Sequence, residues 1–291
     1  MKKLAVAAAA MIVVAGCVNS PELTDADWIN QLVSESDLSE TSDLDGTGDP
    51  GESSRDPGEV CVPEFWYRQL VNEPTRQIII ENDPVADVCT VTVIHNLSAE
   101  LIIDTVWDGI FDPGSKAISD TRYARLIVEK IPDETQYGGW RIISVTPAEH
   151  MLAEGEQEVF VSSMTIYKDD QVIWSCADPG QFYRVDTELP VLAEGDFVRM
   201  EATVEHLNPV YSPPFFVIAH GPLSGHSRHL MYDNGLYGDE IAGDGVFTYQ
   251  WYVEYTGHHQ RIAVDVIDAD TFADQTEQDY DSGAWGIHFL K

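Results

Sequence analysis

Hydrophobic and polar positions divide the chain into stretches of different period. Behind Lys2 and Lys3, Leu4–Val14 is an unbroken apolar run, shorter than the roughly 20 residues a helix needs to cross a bilayer. Residues 18–59 are mostly polar. Within them Thr24–Val33 places Trp28, Leu32 and Val33 together on one helical face, with Thr24 or Asp25 as the cap. That patch reads as a short helix docked on the body or on a partner, or as a transient turn. The composition around it favours the transient turn. From residue 60 the pattern changes. Pro63–Leu70, with proline in the first turn and aromatics to bury, predicts a short helix. Gln77–Glu81, Cys89–His95 and Leu101–Thr105 are β-branched runs parted by Asn82-Asp83-Pro84 and Asn96-Leu97-Ser98, a strand–turn–strand reading. Trp107–Ser119 reads as a loop, and Thr121–Ile131 alternates as a strand. Gly138-Gly139 turns the chain into a further strand, Trp140–Val145.

Seven more strands follow at regular spacing: Val159–Tyr167, Gln171–Ser175, Phe197–Glu205, Phe215–His220, Arg228–Tyr232, Gly245–Val253 and Arg261–Ile267. Turn residues such as Lys168-Asp169-Asp170 and Ala193-Glu194-Gly195-Asp196 separate them. With no helical period among them, they predict an antiparallel sandwich. The division expected is residues 1–16, an export signal; 17–59, a disordered acidic tether; 60–150, an α+β domain; and 151–291, an all-β sandwich.

Composition sharpens this division. The chain has 291 residues, with 16 Lys+Arg against 50 Asp+Glu, a net charge of −34. Without Lys2 and Lys3 the balance is 14 against 50, or −36. Such a surface repels phosphate backbones and argues against a nucleic-acid partner. It suits either the binding of cations and basic ligands or solubility, and solubility is the simpler account. Residues 18–59 hold twelve acids and one base, Arg55. High charge with little to bury predicts disorder. Four cysteines occur, Cys17, Cys61, Cys89 and Cys176. The last three allow one disulfide, and spacing does not select the pair.

The basic start and apolar core end in Val14-Ala15-Gly16-Cys17, which resembles the bacterial lipobox. The resemblance implies removal of residues 1–16, lipidation of Cys17 with palmitate among the acyl groups, and attachment to a membrane facing the periplasm or cell surface. Val18 stands where an inner-membrane retention aspartate would be, which points to the outer membrane.

Phe65-Trp66-Tyr67-Arg68, the strand Arg122–Lys130 and Gly139–Pro147 resemble the NTF2-like, cystatin-related α+β fold, in the form found in bacterial lipoproteins. The resemblance implies an enclosed pocket in residues 60–150. Its candidate lining is Tyr67, His95, Asp104, Trp107, Arg122 and Trp140. The alternative makes Trp66, Trp107 and Trp140 core and leaves His95 and Asp104 at strand ends.

Met231–Thr248 carries Asp233, Gly235, Gly238, Asp239, Ala242, Asp244 and Gly245 in an order that resembles a loop motif of Ig-like domains in bacterial secreted and surface proteins. Such modules bind or space. Asp233, Asp239, Glu240 and Asp244 are hard oxygen donors in a glycine-permitted loop, suited to calcium, although their order is not that of an EF-hand. In the alternative these side chains bond nearby backbone N–H groups. His220, His226, His229, His258 and His259 form a second candidate group, for a transition metal. The chain has no nucleophile elbow, phosphate loop or dinucleotide fingerprint. The sequence therefore predicts a lipid-anchored envelope protein that binds or scaffolds a protein or small-molecule partner without catalysis. A ligand carrier or an enzyme using the residue 60–150 pocket is the alternative.

Overall fold

The alternation that begins at Val88 does not break at Asn96-Leu97-Ser98. In the computed structural model Val88–Asp104 is one 17-residue strand, with every odd-numbered side chain from Cys89 to Ile103 buried. It pairs along its length with a second 17-residue strand, Gly114–Lys130, whose even-numbered side chains from Lys116 to Val128 are buried. The structure describes residues 23–41, 51–52, 65–82, 87–104, 110, 112–207, 215–221, 228–253, 261–273 and 279–290.

In chain order the elements are α1 (Asp25–Glu35), β1 (Gly51–Glu52), β2 (Phe65–Leu70), β3 (Thr75–Asn82), β4 (Val88–Asp104), β5 (Gly114–Lys130), β6 (Trp140–Val145) and β7 (Ala148–Leu152). There follow β8 (Val159–Lys168), β9 (Gln171–Cys176), β10 (Tyr183–Arg184), β11 (Phe197–His206), β12 (Phe215–His220) and β13 (Arg228–Leu230). The last are β14 (Val246–Tyr252), β15 (Arg261–Asp268), α2 (Asp270–Ala273) and β16 (Ser282–His288). One large antiparallel sheet runs β1-β2-β4-β5-β7-β16-β15-β12-β13, with β3 beside β4, β6 beside β5 and β10 beside β6. It curls until β1 and β13, its two ends, approach within 8 Å between Cα atoms. Arg228 on β13 spans the seam by donating to the Trp66 carbonyl at 2.5 Å. The result is a barrel-like body. A second sheet, β14-β11-β8-β9, packs on the outer face of β15 and β16. Val264, Val266, Trp285 and Ile287 there meet Val159, Val161, Met164 and Met200 in a shared apolar core.

The expected α+β NTF2-like domain is not what forms. Phe65–Leu70, predicted as a helix, is strand β2. The described residues contain two α-helices, both outside 60–150, and long antiparallel strands carry the fold. The physical reason is pairing: Trp66 and Arg68 turn inward while Tyr67 and Gln69 turn outward, a period of two that β4 completes. The sheet also runs through residue 150, because β7 bonds both β5 and β16.

The expectation of a disordered tether is likewise overturned over residues 24–41. Thr24 and Asp27 form a reciprocal capping box, and α1 buries Ile29, Leu32 and Val33 against the barrel end formed by Cys89, Val91, Leu126, Val128 and Trp140. Three apolar side chains on one helical face supply the burial that the acidic composition around them obscures. The strands β8, β9 and β11 to β15 lie where the apolar runs predicted them.

Candidate functional site

Cross-strand pairing aligns one row of side chains across the barrel interior: Arg76, His95, Arg122, His150, Ala284, Asp265, Ile218 and Leu230. Directly paired residues on antiparallel strands face the same side, so the register alone brings these polar groups together. Arg68 sends both Nη atoms to Asp265, at 2.6 and 3.2 Å, and Nη2 also reaches Ser282 Oγ at 2.7 Å. Its Nε donates to the Tyr280 hydroxyl, which donates to Asp120, and His150 Nε2 lies 3.4 Å from Asp120. Lys116, fully buried, donates to the Thr271 and Asp279 carbonyls and ties down the segment around α2. Beside this group sits a cluster of small residues, Ala124, Ala148, Ala263 and Ala284. Among the described residues, Arg68, Asp265, Ser282, Tyr280 and Asp120 thus form one bonded chain inside the barrel.

The mouth is occupied by the chain's own arm. Residues 39–41 follow α1 into it, and Ser39 and Thr41 are buried. Arg76 donates to the Val33 carbonyl and Ser39 Oγ, Arg122 to the Thr41 carbonyl, and Arg261 to the Glu40 carbonyl. His95 Nδ1 sits 3.0 Å from Thr41 Oγ1. Burial, with Arg76, Arg122 and Arg261 outweighing Glu40, holds His95 below its ordinary pKa. A space beside it, lined by Glu40, Thr41, Leu70, Pro74, His95, Leu97 and Arg122, is about 80 Å³.

Of the six residues expected to line a pocket, His95 and Arg122 are therefore together. Tyr67 faces outward from β2 beside Ile102. Asp104 is buried at the end of β4, where it accepts from the Asp112 N–H. Trp140 is buried against α1, and its Nε1 donates to Asp25 at 3.1 Å. Trp107 lies outside the described residues, as do Cys17, Cys61, His226, His258 and His259. Cys89 is buried on β4, and Cys176 is buried on β9 of the other sheet. His220 faces the interior, 3.8 Å from Asp265, while His229 stacks on Tyr249 from the opposite face. The register separates these two histidines.

In the loop after β13, Asp233, Asp239 and Asp244 each place a carboxylate oxygen within 4.8 Å of the others. Those oxygens already accept backbone bonds. Asp233 receives the N–H groups of Gly243, Asp244 and Gly245, Asp239 those of Gly235 and Ile241, and Asp244 that of Val246. Gly235, Gly238, Gly243 and Gly245 all have positive φ, which the turn requires. Glu240 points to solvent and is not among the three.

A third cluster was not found from sequence spacing. At one edge of the two-sheet pack, Glu158 just before β8, His206 at the end of β11 and Asp268 at the end of β15 bring ligand atoms within 4.8 Å of one another. His206 Nε2 is 2.5 Å from Asp268 Oδ2, with side chains 4% and 8% exposed. Asp281 bonds the Glu158 and Val159 N–H groups beside them. Burial, together with the charges of Asp268 and Glu158, pushes its carboxyl up to about 6 against the pull of those two backbone bonds. A cleft of about 210 Å³ opens here, lined by Glu156, Glu158, Asp268, Asp270, Thr271, Asp279, Tyr280 and Asp281. No short motif signals it, because the three donors sit about 50 and 60 residues apart at strand ends.

Comparison of the chain with protein-family models, with curated proteins and with solved structures gave no match.

Proposed function

We propose that this protein is a bacterial envelope lipoprotein, held to a membrane by lipid on Cys17, that works by binding or scaffolding and not by catalysis. The observation that supports it is how the barrel interior is used. Arg68, Asp265 and Lys116 are bonded within it, Arg76, Arg122 and Arg261 bond the chain's own arm, and the space at His95 and Arg122 is about 80 Å³. Pockets that enclose a small molecule usually measure roughly 300–1,000 Å³, so a metabolite carrier or an enzyme built on this space is disfavoured. An arginine–carboxylate pair such as Arg68–Asp265 also holds its carboxylate ionised with its lone pairs engaged, a poor start for acid–base work. Partner contact then falls to the outer surface, where the acidic balance would favour basic ligands.

The test has two arms. Full-length protein expressed in a bacterium with labelled palmitate should carry the label and sediment with membranes, while Cys17→Ser should do neither. Native mass spectrometry of the purified protein should give the mass of the chain and its lipid alone. A palmitate-free wild type refutes the anchor, and a stoichiometric bound metabolite refutes the non-carrier reading.

A further inference from the structure

We infer that Glu158, His206 and Asp268 form a binding site for one divalent transition-metal ion, such as Zn²⁺ or Mn²⁺. The three donors come from the ends of separate strands, and their ligand atoms already lie within 4.8 Å of one another. His206 is 4% exposed at its side chain, Nε2 meets Asp268, and Nδ1 has no hydrogen-bond partner. At the same cleft Asp281 Oδ1 is buried without a partner. Asp281 Oδ1 is the observation beyond the cluster itself, a buried polar atom at the cleft left without an exchange for its lost water, whereas His206 Nδ1 lies on the other side of the ring from Asp268.

A divalent ion bound by a neutral imidazole and two carboxylates would balance the charge of those two carboxylates. The geometry is also near. Metal–nitrogen and metal–oxygen distances of about 2.0–2.2 Å put tetrahedral donor atoms about 3.3 Å apart. His206 Nε2 and Asp268 Oδ2 would therefore open by under about 1 Å from their present 2.5 Å. Imidazole suits zinc, iron or nickel, two carboxylates beside it also suit manganese, and calcium and magnesium prefer all-oxygen cages. The backbone bonds from Glu158 and Val159 to Asp281 fix the approach of Glu158, the service an outer shell gives a metal ligand. With three protein donors, the remaining position opens on the cleft of about 210 Å³, whose size suits water on the ion. The inference does not depend on lipid at Cys17, and its test leaves that question untouched.

Purified full-length protein, stripped with EDTA and dialysed, is titrated calorimetrically with chlorides of zinc, manganese, calcium and magnesium. One equivalent of zinc or manganese should bind, with calcium and magnesium weaker by more than about tenfold. His206→Gln and Asp268→Asn should each weaken the transition ion by more than about tenfold, while Asp233→Asn/Asp239→Asn should leave it unchanged. Because a variant can fail to fold, wild type is also titrated with cobalt. Visible d–d bands of a four- or five-coordinate site with nitrogen and oxygen donors support the inference, and a hexa-aquo spectrum overturns it. It is overturned equally if folded wild type binds neither zinc nor manganese at millimolar concentration, or if His206→Gln folds and binds as wild type does.

Discussion

Arg68 on β2 and Asp265 on β15, 197 residues apart in the chain, meet at 2.6 Å inside the barrel with side chains 1% and 0% exposed. Burial works against the Asp265 charge. Arg68, with His220, overcomes that and holds the carboxyl below its usual value. Removing one partner strands the other, so Arg68→Ala or Asp265→Asn should each cost about 3–5 kcal/mol. Replacing both, as Arg68→Met/Asp265→Leu, should cost less than either single change, because no charge is left buried. Urea unfolding of the three variants measures this. A double variant that loses the sum of the singles would mean the pair is not coupled.

The arm should behave as part of the folded body. Thr24→Ala removes the capping box and should cost about 1 kcal/mol. Ile29→Ala opens the contact of α1 with the barrel end and should cost about 2–5 kcal/mol. Both should also bring forward protease cleavage between residues 24 and 41. Unfolding midpoints equal to wild type would show the arm to be an independent appendage.

Gly138 has φ +63°, and a Cβ there would lie 2.5 Å from the Trp28 ring. Gly138→Ala should therefore destabilise by two routes, backbone strain of about 1–3 kcal/mol and displacement of α1. Adding Trp28→Ala relieves the clash and leaves the strain. The prediction is that the two changes together cost less than the sum of each alone, read from thermal melts. Strict additivity would remove the clash from the account.

His95 sets a pH dependence. Its folded pKa is lowered from 6.5, first by burial. As pH falls through 6.5 the unfolded chain takes up the proton before the folded one does, and stability drops until the folded value is passed. Above 6.5 this contribution is complete. His95→Gln should flatten the slope of unfolding free energy against pH just below 6.5. An unchanged slope would place the titration elsewhere.

The loop Asp233–Asp244 is expected to be held by its own backbone bonds. Asp233→Ala leaves three backbone N–H groups without their acceptor and should cost about 1–3 kcal/mol even in EDTA. Calcium and magnesium should raise the wild-type melting temperature equally, by screening alone. A shift specific to calcium, lost in Asp239→Asn and Asp244→Asn, would make the loop an ion site.

The strands of the second half were legible because β-branched runs between turn residues need only local pattern, as in β8, β11 and β15. β2 and β16 are among the strands that were not. β2 carries Arg68 at an inward position, and an inward charge is readable only once its partner Asp265 is known. β16 is Ser-Gly-Ala-Trp-Gly-Ile-His, with glycines where strand residues are usual: Gly286 lies on the inward face between Ala148 and Ala263, and a Cβ on Gly283, on the other face, would meet Gln157 and the Val159 carbonyl. His95 and Arg122 were two of six residues expected to line a pocket, and the register places them directly opposite each other. Glu158, His206 and Asp268 have no sequence relationship at all; only the packing of one sheet on the other joins them.

The strand β16 lies between β7 and β15, near the middle of the large sheet, although every other strand precedes it in the chain. A polypeptide emerges from the ribosome, or from a membrane pore, in order. Until residues 282–288 appear, β7 has an open edge, β15 lacks a neighbour and the curl cannot close. The first half must wait, with that edge exposed to other chains, for about 130 residues of further synthesis. A nonsense change ahead of residue 282 would thus damage the strands made first as much as those made last, and a chain crossing a membrane would reach the far side before it could become rigid.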